Sequence, residues 1–247
     1  MHDLSTASND VSPLSLRKLI DLTHPLISSN VFSCPGHPMY AAQRTLSLAK
    51  GDIANVHTLQ IGTHSGTHID APYHFFDDGI PVDELDLSLL TAAPAILVDM
   101  RKKNAHEAIT WEDLGPYTAR MRAGVAVLIC TGWSKNWGQP TYTDHPYLDG
   151  EASRRILETG VRVIGIDAMS PDEVNPEKGD CIDVHRLVLG NGGVIVENLN
   201  GLEKVVESGI RLDDLVVSLL PLRLTSLDGS PVRAVAWESG RQHTSIN

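Results

Sequence analysis

The sequence predicts a mixed α/β fold, and three features carry that prediction. Short runs rich in β-branched and aliphatic residues outnumber amphipathic helical stretches. Helical stretches lie between some of these runs, as strand–helix–strand passages require. Other runs are separated by turn signals alone, which points to hairpins and a sheet of mixed direction rather than a doubly wound one.

The elements follow in order. Residues 1–15, rich in Ser, Asn and Asp, read as a loose tail. Residues 16–240 read as one domain, because no later Gly/Ser/Pro stretch is long enough for a linker and no fixed-period repeat is present. Strands are predicted at 19–22, 55–61, 95–98, 125–130, 161–166, 193–196, 215–220 and 232–237. A helix is predicted over 150–160, with Ala152, Ile156 and Leu157 on one side and Gly160 as its stop. A second is predicted over 198–208, where Leu199, Leu202, Val205 and Val206 keep helical spacing before Gly209. The Asp228-Gly229 dipeptide predicts that the C-terminal part folds back as a hairpin.

Bulk composition excludes several functions. The 247 residues are 42% hydrophobic and 21% charged, within the ordinary globular range. A formal net charge of −11 repels nucleic acid and anionic membrane, and the single basic triplet, Arg101-Lys102-Lys103, reads as a solvated turn. Cys34, Cys130 and Cys181 are too few and too scattered for a disulfide framework or a thiolate zinc cluster. Cys130 closes an apolar run and reads as a buried thiol. The first ten residues lack the basic lead and apolar core of a secretory signal. The apolar stretch 87–98 is too short for a membrane span and is broken by Pro94. A cytoplasmic protein without nucleic-acid or membrane partners is expected.

The chemistry is concentrated in one segment. Eleven histidines among 247 residues put about half of one in an eleven-residue window, on composition alone. Window 64–74 holds His64, His68 and His74, with Asp70 between the last two. Imidazole and carboxylate are a ligand set that suits zinc and manganese. The His64/His68 spacing is not helical, because Gly62, Thr63, Ser65, Gly66 and Thr67 form helices poorly. A strand with a bend at Gly66 fits better. His68 and Asp70, at i and i+2, then share a face. Gly66 lets His64 reach the same ion, and Pro72 starts the loop that carries Tyr73 and His74.

Downstream, His185 follows the acidic segment 172–183, and Glu197 ends the run Val194-Ile195-Val196. A carboxylate after three aliphatics is costly to bury unless it is paired or binds a cation. The alternative for Glu197 is a strand-end residue facing water. Asp167 and Asp172 suit loop capping as well as chemistry.

These residues resemble a known family. His64-x-Gly66-Thr67-His68-x-Asp70-x-Pro72-x-His74 is similar at every fixed position to the signature of the cyclase family, which includes bacterial kynurenine formamidase and isatin hydrolase. Thr131-Gly132-Trp133, the motif Gly165-x-Asp167-x-x-Ser170-x-Asp172, the Glu197-bearing strand and Gly229-Ser230-Pro231 resemble further family segments. The spacing after His185 is kept only in part. The resemblance implies an α/β/β mixed-sheet domain that forms homodimers, often paired into larger assemblies. It implies one zinc on His64, His68 and Asp70, and a second on Asp70, His185 and Glu197. Isatin-hydrolase-like members instead hold a single manganese at the first position.

The expected reaction is attack of metal-activated water on an aryl formamide such as N-formylkynurenine. His74, just outside the ligand set, is the candidate general acid/base for the leaving nitrogen; its alternative is a group that merely orients a ligand carboxylate. Tyr73, Phe76 and Trp133 are the candidate substrate-binding aromatics, with core packing the alternative for Phe76. A cyclic amide such as isatin, hydrolysed with one manganese, is the rival substrate, and a polyketide-type ring closure is a third activity. A metal-stabilised binding protein is the non-enzymatic alternative, and it predicts a saturated metal shell.

Overall fold

Nine strands form a single mixed sheet in the computed structural model, which describes residues 18–28, 38–174 and 181–240. Its centre is four parallel strands, Ala93–Asp99, Ala126–Cys130, Val163–Ile166 and Val194–Glu197. These are the most apolar runs in the chain, as strands covered on both faces must be. Antiparallel strands extend both edges: Leu215–Ser218, Val235–Glu238 and Ile20–Asp21 on one side, His68–Asp70 and Gly229–Pro231 on the other. The mixed α/β reading of the sequence therefore describes the fold.

Side-chain alternation divides the core in two. Ile96, Val98, Val127, Ile129, Ile164 and Ile195 face the helices Gly150–Glu158 and Asp183–Gly190 and pack on Ala152, Ile156, Val184 and Val188. Ala95, Leu97, Leu128, Cys130 and Val196 face the other way. There they meet Ile69, Val217, Ala234 and Ala236, residues from the two ends of the same sheet. A sheet whose centre packs on its own edges is curled, and His68–Asp70 lies near one of those edges, paired with Val194–Glu197. Cys130 is fully buried, as its place in the sequence predicts.

Three differences from the predicted elements have local causes. The helix predicted over 198–208 is confined to Leu202–Glu207, because Asn198 (φ 55°) and Gly201 (φ 73°) both adopt left-handed backbone. The helix Asp183–Gly190, not predicted, starts where the upstream Asp172 carboxylate accepts from the Val184 and His185 N–H groups. Asp228-Gly229 is not a two-residue hairpin turn. Gly229–Pro231 instead joins the sheet edge against His68–Asp70, although Pro221 and Val232 do bridge antiparallel. The predicted tail 1–15 and Cys34 lie outside the described residues. Among the described residues no helix is long and apolar enough to cross a membrane.

Candidate metal centre

The site is assembled by strand register. His68–Asp70 lies between Val194–Glu197 and Gly229–Pro231, antiparallel to both. Glu197 stands opposite His68, and Asp70 opposite Ile195. Ile69 is fully buried in the curled core, so His68 and Asp70 turn together to the opposite face. Gly66 has φ 65°, and a Cβ there would lie 2.6 Å from Leu26 Cδ2. Glycine takes this left-handed bend without strain, and the bend returns His64 to within 2.7 Å of Asp70 Oδ1 through its Nδ1. His185 enters from the first turn of its helix, held at Nδ1 by Asp172 Oδ2 at 2.6 Å. This is the outer carboxylate that fixes a histidine's ring and leaves Nε2 for a ligand.

The donor atoms converge. His68 Nε2 lies 3.3 Å from Asp70 Oδ1 and 3.4 Å from Glu197 Oε2. His185 Nε2 lies 3.6 Å from Asp70 Oδ2 and 3.3 Å from Glu197 Oε1. Donors held about 2.0–2.2 Å from an ion in a tetrahedral array sit about 3.3–3.6 Å apart, so the spacing matches a shared cation. Among the described residues, Asp70 Oδ2 and Glu197 Oε1 are buried and accept no well-aligned hydrogen bond, with His185 Nε2 the ion-pair partner of both. Buried anionic oxygens crowded with imidazole nitrogens are costly without positive charge between them, and the residues present fit a divalent metal. Among the described residues three donor groups satisfy the distances; two of them, His64–His68–Asp70 and Asp70–His185–Glu197, share Asp70. A third group, His64–His74–Asp228, sits at the rim.

Charge in the metal-free site follows from this crowding. Burial works to lower the His64 pKa, but the Asp70 and Asp228 carboxylates outweigh it and raise it to about 10. Burial likewise opposes the charged form of His185, yet Asp172, Asp70 and Glu197 hold it well above the usual imidazole range. Asp70 is fully buried, but His68, His64 and His185 keep its carboxyl well below the usual range. His74 behaves oppositely. Burial, reinforced by the charges on His64 and His185, outweighs Asp70 and Asp228 and depresses it to about 4. His74 is therefore neutral at pH 7. Its ring lies 4.0 Å from that of His64, and its Nδ1 is 3.3 Å from Asp228 Oδ2.

The cyclase family's sequence model matches residues 20–173. The chain belongs to the cyclase family. Within it, the kynurenine formamidase of Bacillus cereus is 31% identical over 216 residues, 87% of this chain and 95% of that protein. That of Bacillus mycoides is 31% identical over the same span. Among solved structures, isatin hydrolase A from Labrenzia aggregata bound to benzyl benzoate superposes with a TM-score of 0.78 at 23% identity, covering 90% of this chain and 94% of that one. Isatin hydrolase A from Ralstonia solanacearum superposes with a TM-score of 0.77, also at 23% identity, covering 89% and 91%. That second pair is a likeness of fold. The family match contains His64, His68, Asp70 and His74, while His185 and Glu197 lie beyond its end.

The aromatic candidates separate. Tyr73 is 38% exposed at the rim. Phe76 and Trp133 lean on the helix-side core, Phe76 against the helix end at Gly190. Phe75 is the ring that meets the histidines, stacked on His185 at 5.0 Å and edge-on to His74 at 4.9 Å. Sequence reasoning did not single out Asp228, whose Oδ2 lies 2.7 Å from His64 Nε2. Its signal was the following Gly229. A Cβ at that glycine would lie 2.7 Å from the Ile69 carbonyl and 3.0 Å from His64 Cε1, so the edge strand passes close to the site.

Proposed function

We propose that the protein hydrolyses the amide bond of an aryl formamide such as N-formylkynurenine, with zinc held by His64, His68, Asp70, His185 and Glu197. The observation that carries this reading is the pair of buried carboxylate oxygens among histidine nitrogens, with neutral His74 beside them. The names of the sequence relatives support the substrate class. The shared Asp70 favours two ions. A bound divalent ion supplies Lewis acidity, which polarises a carbonyl and acidifies water.

The chain's own residues perform the proton work. His74, neutral at rest, accepts the proton released as water attacks the carbonyl carbon, and then delivers it to the leaving nitrogen as the C–N bond breaks. The Asp228 carboxylate, 3.3 Å from the ring's Nδ1, stabilises the imidazolium while it exists. Phe75 shields the inner side of the His74 ring. Tyr73 offers an aryl surface at the mouth, with Phe76 and Trp133 behind it.

The hydrolase domain spans residues 16–240 and acts in the cytoplasm as a homo-oligomer, a dimer or a tetramer. The ribbon of Ala41–Leu46 and Val56–Gln60 supports the oligomer. Every residue of both strands is exposed, with Leu46, Val56 and Leu59 among them, and an isolated two-stranded ribbon is marginal in water.

The second reading is isatin-type hydrolysis with one manganese; its substrate is supported by the structural likeness to isatin hydrolase A. Steady-state hydrolysis of N-formylkynurenine and of isatin by metal-loaded and chelator-stripped protein tests both readings. Formamide hydrolysis that disappears on stripping and returns with zinc is expected. Isatin turnover that exceeds formamide turnover gives the second reading, and no hydrolysis by loaded protein leaves the cyclase or binding alternatives.

A further inference from the structure

The residue after Glu197 is built into the site from behind. Asn198, at φ 55°, occupies the left-handed region that asparagine tolerates better than most side chains. The turn aims its amide under the metal-site strand. Asn198 Nδ2 donates to the Gly66 carbonyl at 3.1 Å and lies 3.5 Å from His68 Nδ1. His68 Nδ1 is 2.8 Å from the same carbonyl. A carbonyl oxygen only accepts, so Nδ1 carries a hydrogen and Nε2 is the nitrogen that faces Asp70 and Glu197, the one left to bind an ion.

The far end of the amide is also held. Asn198 Oδ1 accepts from the Tyr142 hydroxyl at 2.8 Å. Tyr142 is fully buried and lies in the turn Pro140–Asp144, on the loop that carries Trp133 and Trp137. Trp137 packs edge-on to Tyr142 at 5.3 Å and stacks on His24 at 4.2 Å. The backbone closes the circuit, because Asn198 O accepts from Thr67 Oγ1 and Thr67 Oγ1 accepts from His24 N.

We propose that Tyr142 and Asn198 are positioning residues that fix the tautomer and ring orientation of His68, so that the 131–148 loop and the metal centre are coupled through one amide. The hydroxyl selects the amide orientation. With a donor at Tyr142 the oxygen must face it, and the NH2 group then faces the Gly66 carbonyl. Without the hydroxyl the amide oxygen loses its partner, so the amide is free to swing away from the Gly66 carbonyl and the carbonyl that anchors His68 Nδ1 is held less firmly. Both side chains are buried, which keeps water from replacing the lost bond.

The inference rests on the reading of His68 as a metal ligand. It is tested by titrating chelator-stripped protein with Co2+ and recording affinity and the visible spectrum of the bound ion, with thermal unfolding alongside. Tyr142→Phe should weaken Co2+ binding by roughly 10–100-fold, the usual effect of an outer partner of a ligand histidine, and shift the absorption bands. Asn198→Gly keeps the left-handed backbone and removes the amide, so it should do the same should Tyr142→Phe fail to fold. Adding Tyr142→Phe to Asn198→Gly should cost little more than Asn198→Gly alone, because both act through one group. Wild-type affinity and spectrum in folded Tyr142→Phe, or in Asn198→Gly, overturn the proposal. His68→Ala separates the two levels. If it binds Co2+ as wild type does, the ligand assignment itself falls and takes the inference with it. If it loses the ion while Tyr142→Phe does not, only the coupling is wrong.

Discussion

Loading the centre with a divalent cation must expel protons. In the metal-free protein His64 titrates at about 10, because Asp70 and Asp228 lie within hydrogen-bond distance of its two nitrogens. At pH 7 its proton is therefore about three units below its release point, roughly 4 kcal/mol at about 1.4 kcal/mol per unit, or a thousandfold in apparent affinity. His185, also held well above the usual range, adds a second proton. Affinity should rise with pH, by about tenfold per unit for each proton expelled, and level off as pH passes about 10. The assay is isothermal titration of stripped protein with Mn2+ between pH 6 and pH 8, in buffers of different ionisation enthalpy. Between one and two protons should leave per first ion bound. Asp228→Asn withdraws one carboxylate from His64 and should lower that number and flatten the slope. An affinity that is independent of pH over this range, with no protons released, would refute the electrostatic reading of the site.

Other outcomes follow from the same geometry. Glu197→Gln should reduce bound zinc from about two ions per chain to about one, as measured by elemental analysis; a wild-type protein that never exceeds one ion when supplied with metal would remove the second position. His74→Asn should retain metal and lose roughly 10²–10⁴ in turnover on the amide, with a smaller loss on an activated aryl ester that needs little protonation to depart. Equal losses on both substrates with metal intact would refute the proton role. In the metal-free protein His24 and His145 are buried and depressed to about 4. Their contribution is complete above the unfolded value of about 6.5 and is lost as pH falls from there toward 4, by up to about 3 kcal/mol for each. His64, raised instead, contributes fully below about 6.5 and loses that contribution as pH rises toward about 10. Urea unfolding of stripped protein should therefore show greatest stability near pH 6.5, and a flat profile from pH 4.5 to 8 would contradict it.

Much of the centre was legible because its grammar is local. His68 and Asp70 sit two apart, so any strand turns them to one side, and Gly66 marks the bend that returns His64. The central strands were legible for a related reason. Burial on both faces leaves continuous apolar runs such as 125–130, whatever the chain does elsewhere. Phe75 and Phe76 mark a first limit. They follow the 3-10 turn Pro72–His74, and both pack on the helix-side core, but the direction of that turn, which no period of two reveals, also stacks Phe75 on His185.

The apolar strands, the histidine-rich segment 64–74 and the chemistry its residues can support are all written in local sequence. Tertiary structure set how distant groups meet, and it alone brought in Asp228, Tyr142 and Asn198. Glu197 becomes a partner of His68 through antiparallel register, Asp228 reaches His64 across 164 residues, and Tyr142 reaches Asn198 across 56. Asp172 caps the His185 helix across 13 residues, too far for a capping pattern to announce. The physical reason is one of range. Side-chain periodicity and turn preference act over a few neighbouring residues, whereas strand register and the curl of the sheet are settled only when the whole apolar core packs.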